Sequence, residues 1–183
     1  MSVVRKNVLV SVDEYLEAEK QSQAKHEYVR GHVYAMVGAS RAHNTLSLSL
    51  ASRLLNHLHG SGCDVFVSDM KVRIGDIFYY PDVVASCSKA DANPYFITEP
   101  ALIVEVLSPT TEAADRMDKR LVYQSLGSLK EYVLVSQEQR KVEVYRRSGT
   151  SWDLETYSGQ DVLRLTSVDF SVSIADFYGD VAG

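Results

Sequence analysis

The spacing of hydrophobic residues changes several times near the start of the chain, and each change predicts a different element. Ser11 and Glu14 match a capping box, in which the serine caps a helix and the glutamate reaches back to its first turn. A helix should therefore run over about residues 12–23. Alternating β-branched and aromatic residues over 27–36 then predict a hairpin that turns at Arg30-Gly31.

A second, longer helix is predicted from Ser40 to about residue 60. One face of it carries residues at spacings of three and four, and these positions predict the buried side: His43, Leu46, Leu50, Leu54 and His57. The histidine at position 43 is thus either a core residue that is satisfied by hydrogen bonds or a residue of a functional site.

The rest of the chain predicts short strands and one more helix. Alternating or apolar runs predict strands at residues 64–67, 70–74, 78–85, 131–136, 141–147 and 152–157. Pro81 interrupts the third run and cannot donate a ladder hydrogen bond, so it should mark a strand start or a bulge. A helix is predicted over 111–125 with Gly127 as its stop, and the chain ends in a short turn around 176–178.

The stretch ALIVEVLSP, residues 101–109, places an acid where the surrounding pattern requires burial. Four apolar residues precede Glu105 and two follow it, which is typical of a central strand covered on both faces. An ionised carboxylate is costly there unless a metal ion, a base or water accompanies it. Ser108 and Pro109 end the strand at once, so Glu105 should lie near its C-terminal end and face a cleft.

Length and composition favour one soluble domain. With 183 residues and 45% hydrophobic content, the chain can build one core, and we expect a single domain over residues 1–183. There is no apolar run of about 18 residues and no signal-like segment, which predicts a protein that is not in a membrane and not exported. Cys63 and Cys87 have no metal-ligand partner at short spacing, so we expect reduced thiols and a cytoplasmic location.

The net charge of −5 argues against general nucleic-acid binding, but it leaves room for a local basic face. Its candidate residues are Arg140, Lys141, Arg146 and Arg147.

Asp82 and Glu105 each stand on a hydrophobic strand, and the loop between them is long enough to bring the two strands side by side. Neighbouring strands are about 4.8 Å apart, so both acids could contact one cation. Oxygen ligands of this kind suit Mg²⁺ or Mn²⁺ better than zinc. The alternatives are that Asp82 is a turn or bulge residue and that Glu105 is paired structurally with a base.

The helix predicted after Glu105 contributes a candidate base. Asp115, Lys119 and Tyr123 recur every four residues and form a polar stripe, opposite an apolar face with Met117 and Leu121. Because this helix directly follows the acid-bearing strand, Lys119 could reach the same cleft. The alternative is a solvated pair between Asp115 and Lys119.

Several motifs together resemble the Uma2 (Uma-two) family of restriction-endonuclease-like proteins, which belongs to the PD-(D/E)xK nuclease superfamily. The segments that carry the resemblance occur in the family's order and cover roughly residues 10–147: HEYVRGHVYAM (26–36), the AHN around His43, YYPDVVAS (79–86), ALIVEVLSPTT (101–111), DRMDKRLVYQSLG (115–127) and KEYVLV (130–135).

The resemblance implies an α/β (α+β) fold with a restriction-endonuclease-like core, in which a mixed central sheet is flanked by helices. It implies that Asp82, Glu105 and the backbone carbonyl of Val106 bind Mg²⁺ or Mn²⁺ and that Lys119 is the active-site lysine. It adds Glu27 as a further acid and places His43 at a family motif position. The chain departs from the superfamily signature at Leu107, where a lysine is expected.

Three functions follow from these observations. The first is a metal-dependent endonuclease that hydrolyses phosphodiester bonds in nucleic acid, with DNA the expected substrate. The second is a non-catalytic module that keeps the nuclease scaffold to bind nucleic acid or a protein, which Leu107 and the acidic net charge favour. The third is a structural role in which Glu105 and Lys119 form a buried ion pair. Aromatic residues over 152–157 also favour a homodimer.

Overall fold

The computed structural model describes residues 9–89 and 93–179. Its α-helices are α1 (Val12–Gln21), α2 (Arg41–His57), α3 (Glu112–Ala114), α4 (Arg120–Gln124) and α5 (Ile174–Gly179). A π-helical turn, Asp115–Lys119, joins α3 to α4, and a 3₁₀ turn spans Thr166–Val168. The capping box at Ser11 and Glu14 is present, and Ser40 caps α2 as the sequence predicts.

The strands form two larger sheets and a hairpin. They are β1 (His26–Val29), β2 (His32–Ala35), β3 (Asp64–Val67), β4 (Lys71–Ile74), β5 (Ile77–Tyr79), β6 (Val83–Ser86), β7 (Phe96–Ile97), β8 (Leu102–Leu107), β9 (Glu131–Ser136), β10 (Lys141–Ser148), β11 (Ser151–Ser158), β12 (Val162–Leu165) and β13 (Phe170–Ser173). The strand order is β2-β1-β5-β4-β7 in the five-stranded sheet and β11-β10-β9-β8-β6-β3 in the six-stranded sheet, and β12 pairs with β13 in the hairpin. The mixed sheets flanked by helices confirm the predicted fold class.

Strand β8 lies inside the six-stranded sheet, antiparallel to β6 and parallel to β9. All six of its residues are buried, as the ALIVEVLSP pattern predicts. The crossover that makes β8 and β9 parallel contains α3, the π-helical turn and α4, which is the usual way to join parallel neighbours. This connection carries the helix over the face of β8 that bears Glu105.

Two hydrophobic clusters cover the faces of the six-stranded sheet. On one face, Val104 and Val106 pack with the leucines of α2 and with Phe177 of α5. On the other, Ile103 and Leu107 pack with Tyr123 of α4 and with Tyr79 of the five-stranded sheet. Since side chains alternate along a strand, Glu105 shares the second face and points between the sheet and the helix.

The strand predicted over 78–85 is two strands, separated at Pro81. Strand β5 belongs to the five-stranded sheet, whereas β6 belongs to the six-stranded one. A proline cannot continue the hydrogen-bond ladder, so the chain changes sheets at this point. Asp82 is thereby placed directly before β6, at the junction of the two sheets.

The helix over 112–124 faces the opposite way from an ordinary amphipathic helix. Met117 is 64% exposed and Leu121 is 63% exposed, whereas Asp115 and Lys119 are buried. The polar stripe points inward because it meets the carboxylates of the site. The C-terminal segment also differs from the prediction, since the expected turn around 176–178 is helix α5 and its Phe177 is fully buried.

The two cysteines form a disulfide, and the prediction of reduced thiols is wrong. Strands β3 and β6 pair with Asp64 opposite Ser86, so the same register places Cys63 opposite Cys87, with their Cα atoms 4.0 Å apart. Spacing along the sequence cannot reveal this pairing. The cytoplasmic location stays a prediction, and it loses the support of the cysteines. No helix within 9–89 and 93–179 has the length and apolar character to span a bilayer.

Candidate active site

Asp82 and Glu105 lie side by side where the pairing of β6 with β8 ends. The last paired residues are Val83 and Val104. Beyond them each acid accepts a hydrogen bond from the other strand's backbone: the Asp82 N–H donates to Glu105 Oε2 at 3.3 Å, and the Val106 N–H donates to Asp82 Oδ2 at 2.7 Å. The two carboxylates are thus held beside each other at the predicted strand ends.

Glu105 is only 3% exposed and is surrounded by donors. Its Oε1 accepts hydrogen bonds from the Tyr123 hydroxyl at 3.1 Å and from Lys119 Nζ at 3.4 Å. Burial raises the pKa of this carboxyl well above its ordinary value, Lys119 opposes the shift, and the neighbouring acids add to it. A second positive charge would relieve this repulsion.

Lys119 faces three carboxylates at once. Its Nζ lies 2.8 Å from Glu27 Oε1 and 3.4 Å from both Glu105 Oε1 and Asp115 Oδ1. Burial alone would lower the pKa of the lysine, but the three acids outweigh burial and raise it. The ammonium group is therefore charged at neutral pH.

The π-helical turn presents Asp115 and Lys119 together. Turns of this kind are rare and occur frequently at functional sites. The Tyr132 hydroxyl donates to the Asp115 backbone carbonyl at 2.9 Å, which ties the turn to β9. Asp115 is 2% exposed, and burial raises the pKa of its carboxyl. The Thr111 side chain hydrogen-bonds to Asp115. The sequence pattern predicted Thr111 only as the start of the helix and gave no sign of this contact.

Glu27 and His43 approach the site from other elements. Glu27, on β1, accepts a hydrogen bond from the Tyr80 N–H at 3.4 Å in addition to its contact with Lys119. His43, in the first turn of α2, places Nε2 3.2 Å from Asp82 Oδ2. Of the two alternatives for this histidine, the geometry agrees with a site residue, because its side chain points to Asp82 rather than into the leucine cluster.

A cleft of about 550 Å³ is lined by five of the predicted site residues: His43, Asp82, Glu105, Asp115 and Lys119. Its walls also include hydroxyl groups from Ser40 and from the loop after β8. Hydrogen bonds and ion pairs link all the predicted site residues into one connected network: Glu27, His43, Asp82, Glu105, Val106, Asp115, Lys119 and Tyr123.

The composition of the site fits a cation, although no three carboxylate, imidazole or thiolate side chains of the described residues converge as a ready-made cage. Three carboxylates, from Glu27, Glu105 and Asp115, contact the ammonium group of Lys119, and a fourth, from Asp82, lies beside Glu105. Asp115 Oδ1 is buried and lacks a well-formed hydrogen bond, with only the long contact to Lys119. A divalent ion beside Asp82 and Glu105 would offset the excess negative charge.

The basic face expected from the sequence is used for structural contacts. Arg146 forms ion pairs with Glu131 and Glu155, and Lys141 pairs with Glu143. Arg147 donates to three backbone carbonyls. Arg146 and Arg147 hold β10 to neighbouring segments and Lys141 is paired within its own strand, so these three side chains do not form the free polyanion-binding surface that the sequence allowed.

The sequence matches one family model and two proteins of known sequence over most of its length. The model of Uma2, described as "Putative restriction endonuclease", matches residues 12–175. The uncharacterized protein slr1290 of Synechocystis sp. is 37% identical over 177 residues, 94% of this chain and 93% of that protein. A second Synechocystis protein, sll1609, is 32% identical over 167 residues, 88% of this chain and 94% of that protein.

The fold has a counterpart among solved structures. A crystal structure described as a "putative nuclease belonging to DUF820", from Anabaena variabilis, superposes with a TM-score of 0.79. The match has 17% sequence identity and covers 94% of this chain and 99% of that one. The family resemblance and the nuclease-like fold expected from the sequence are thus confirmed, and the chain belongs to the Uma2 family of restriction-endonuclease-like proteins.

Proposed function

We propose that the protein is a divalent-metal-dependent nuclease that hydrolyses phosphodiester bonds in nucleic acid, with DNA as the first substrate to test. The observation that carries this proposal is the convergence of Asp82, Glu105 and Lys119 in one cleft. Membership of the Uma2 family supports it.

Asp82, Glu105 and the Val106 carbonyl are the groups that would hold Mg²⁺ or Mn²⁺. Carboxylate and carbonyl oxygens suit both ions. When bound, such an ion polarises a phosphoryl group and lowers the pKa of a nearby water. The protein contributes two carboxylates fixed by backbone hydrogen bonds, so little rearrangement is needed to receive the ion.

Lys119 would stabilise the negative charge that develops on the phosphoryl oxygens and orient the attacking water. Glu27 and Asp115 keep its ammonium group next to Glu105. Tyr123 fixes the Glu105 carboxylate from the other side through its hydroxyl. These contacts pre-organise the site before substrate arrives.

The position of Leu107 agrees with a lysine supplied from the helix. Leu107 is 5% exposed and packs in the apolar cluster with Tyr123 and Leu134. Lys119 instead reaches Glu105 from the crossover helix. The missing signature lysine therefore does not leave the acids without a base.

Cleavage assays with Mg²⁺ and with Mn²⁺ test the proposal. Supercoiled plasmid, linear duplex, single-stranded DNA and RNA are incubated with wild-type protein, Glu105→Gln, Lys119→Met and the control Asp118→Asn, whose side chain is exposed on the same turn. We expect both site variants to lose activity by at least about 100-fold, as when a charge-stabilising donor is removed. Asp118→Asn should keep it.

Equal activity in wild type and both site variants would contradict the proposal. Absence of cleavage by all proteins, combined with nucleic-acid binding and no Mn²⁺ binding that Glu105→Gln abolishes, would instead support the non-catalytic binding module.

A further inference from the structure

The imidazole of His43 lies against the two groups that are expected to receive the metal ion. Its Nε2 is 3.2 Å from Asp82 Oδ2, and the ring also hydrogen-bonds to the backbone of Val106. Since the Val106 N–H already donates to Asp82, the atom of Val106 that the imidazole meets is the carbonyl oxygen. The ring therefore contacts a carboxylate and a carbonyl that belong to the proposed ion site.

The main chain fixes where this ring lies. The Ser40 hydroxyl accepts a hydrogen bond from the His43 N–H at 3.1 Å, so the residue is held in the capped first turn of α2. The Ser47 hydroxyl donates to the His43 carbonyl at 2.9 Å. The side chain is 15% exposed and projects into the cleft rather than into the leucine cluster.

We propose that His43 is a further protein ligand of the bound cation, beside Asp82, Glu105 and the Val106 carbonyl. This inference rests on the proposed metal-dependent function and adds a nitrogen donor to it. Imidazole is the commonest protein metal ligand, and it binds in its neutral form through a ring nitrogen. Coordination would replace the contact that the ring now makes with Asp82.

The hydrogen bonds of the site favour a ligand over a residue that merely orients Asp82. Asp82 Oδ2 is already held by the Val106 N–H at 2.7 Å, so it does not need the imidazole for support. Both oxygens of Glu105 accept hydrogen bonds, from Lys119 and Tyr123 on one side and from the Asp82 N–H on the other. His43 contacts both Asp82 and Val106, so its ring nitrogen is a further donor beside an ion held by Asp82, Glu105 and the Val106 carbonyl.

A nitrogen ligand predicts the class of metal. Mg²⁺ prefers an all-oxygen environment, whereas imidazole is a ligand of first-row transition ions, for which affinity rises from Mn²⁺ through Fe²⁺ to Ni²⁺ and Cu²⁺. The site should therefore favour Mn²⁺ and similar ions over Mg²⁺ by more than a purely carboxylate site would.

Pulsed electron paramagnetic resonance of Mn²⁺ added to the full-length protein tests the assignment directly. We expect echo modulations from a coordinated ¹⁴N nucleus in wild type and their replacement by ¹⁵N modulations when the histidines are ¹⁵N-labelled. His43→Asn should remove the modulations, while His57→Asn, a control at the other end of α2, should keep them. Circular dichroism checks that each variant is folded.

Calorimetry with Mn²⁺ and Mg²⁺ supplies a second readout that does not depend on cleavage. We expect His43→Asn to weaken Mn²⁺ binding by at least about tenfold, the lower range for residues that only support a ligand. The affinity for Mg²⁺ should change less. His43→Gln serves as a second variant.

The outcomes separate this inference from the proposed function. Mn²⁺ bound in an Asp82-dependent manner without nitrogen modulations in wild type would overturn the role of His43 and leave the carboxylate site intact. No Asp82-dependent Mn²⁺ binding at all would overturn both proposals.

Discussion

Lys119 balances three buried or half-buried carboxylates, which makes it the residue on which the charge state of the cleft depends. Buried ion pairs contribute little net stability as pairs, but removal of one partner leaves charges without compensation. Loss of this lysine would leave three carboxylates without their partner instead of one, because Glu27, Glu105 and Asp115 all contact the same ammonium group.

Lys119→Met should therefore destabilise the protein by about 3 kcal/mol at pH 7 without metal. This loss of unfolding free energy should become smaller as pH falls. The pKa values of Glu105 and Asp115 are raised, so these acids become neutral at a higher pH than ordinary carboxyls and no longer need the lysine. Urea unfolding of wild type and variant at pH 7 and pH 5 measures the difference. The exposed Lys130→Met serves as control, and an equally stable Lys119→Met would show that the lysine is not balancing the acids.

Residue patterns predicted Asp82, Glu105 and Lys119 as site candidates, and the family motifs added Glu27 and a possible site role for His43. The acid in ALIVEVLSP was visible as an exception to burial. The contact of His43 with Asp82 could not be predicted in the same way, because the helical period placed that histidine on the leucine face of α2. A first-turn residue can leave such a face when its backbone is capped and a polar partner lies beside the helix.

Among the elements, the disulfide fastens the edge strand β3 to β6, whose first residue directly follows Asp82. The bond closes a loop with a sequence separation of 24, and that loop contains β4, β5 and Asp82. The far end of the β3–β6 pair is closed by the Ser68 N–H, which donates to the Asp82 carbonyl at 3.0 Å. The backbone of Asp82 is thus part of a covalently closed unit.

Removing the bond should lower the free energy of unfolding by about 3 kcal/mol, the loop-closure value for a loop of this size. The double variant Cys63→Ser/Cys87→Ser, or wild type under a reductant, is compared with oxidised wild type in urea. The reductant should not change the stability of the double variant. Unchanged stability of the reduced wild type would contradict the prediction.

The ion pair between Arg116 and Glu143 attaches the π-helical turn to β10 and gives a pH-dependent contribution. Arg116 Nη1 lies 2.6 Å from Glu143 Oε2. Burial would raise the pKa of Glu143, but Lys141 and Arg116 outweigh burial and lower it. A lowered carboxyl pKa stabilises the fold above the unfolded value, near 4.5, and the stabilisation is lost as pH falls through the lower folded value.

Glu143→Gln should thus destabilise the protein by about 1.5 kcal/mol at pH 7, as for a lost hydrogen bond to a charged group. Denaturant unfolding from pH 7 down to pH 3 gives the unfolding free energy of wild type and variant, and the two values should approach each other below pH 4.5. The exposed Glu138→Gln is the control. If the difference in unfolding free energy between wild type and Glu143→Gln stayed constant with pH, the charge of the Glu143 carboxylate would not be its cause.

Most helices and strands were predictable because their periods are local properties of the sequence. For the helix over 112–124, the apolar pattern alone favours burial of Met117 and Leu121, which are exposed; only the expected approach of Lys119 to the cleft agrees with the observed orientation. Burial there follows from the carboxylates that the helix meets, a tertiary effect. The disulfide was equally hidden, because it depends on the register of β3 against β6.

For the whole molecule, the excess of acids in the cleft couples metal binding to stability. A ligand that binds only the folded protein stabilises it by about 2.7 kcal/mol at 100 times its Kd. For a chain of this size, Mn²⁺ at that concentration should raise Tm by roughly 5–10 °C. Differential scanning calorimetry with and without EDTA measures the shift.

Asp82→Asn should abolish most of that shift, while Asp118→Asn should retain it. A Tm that Mn²⁺ leaves unchanged in wild type would contradict the cation site. The predictions of a single domain, of a homodimer and of a cytoplasmic location are independent of this measurement.

The parallel pairing of β8 with β9 has a consequence for the order in which the site forms. Glu105, Asp115, Lys119 and Tyr123 all lie within one strand–helix–strand unit, and the contact between Glu105 and Lys119 spans only 14 positions. Short loops close with little entropy cost. Asp82, His43 and Glu27 come from earlier elements and must dock onto this unit, so the lysine and its buried acid should meet during folding before the groups proposed to receive the metal are complete.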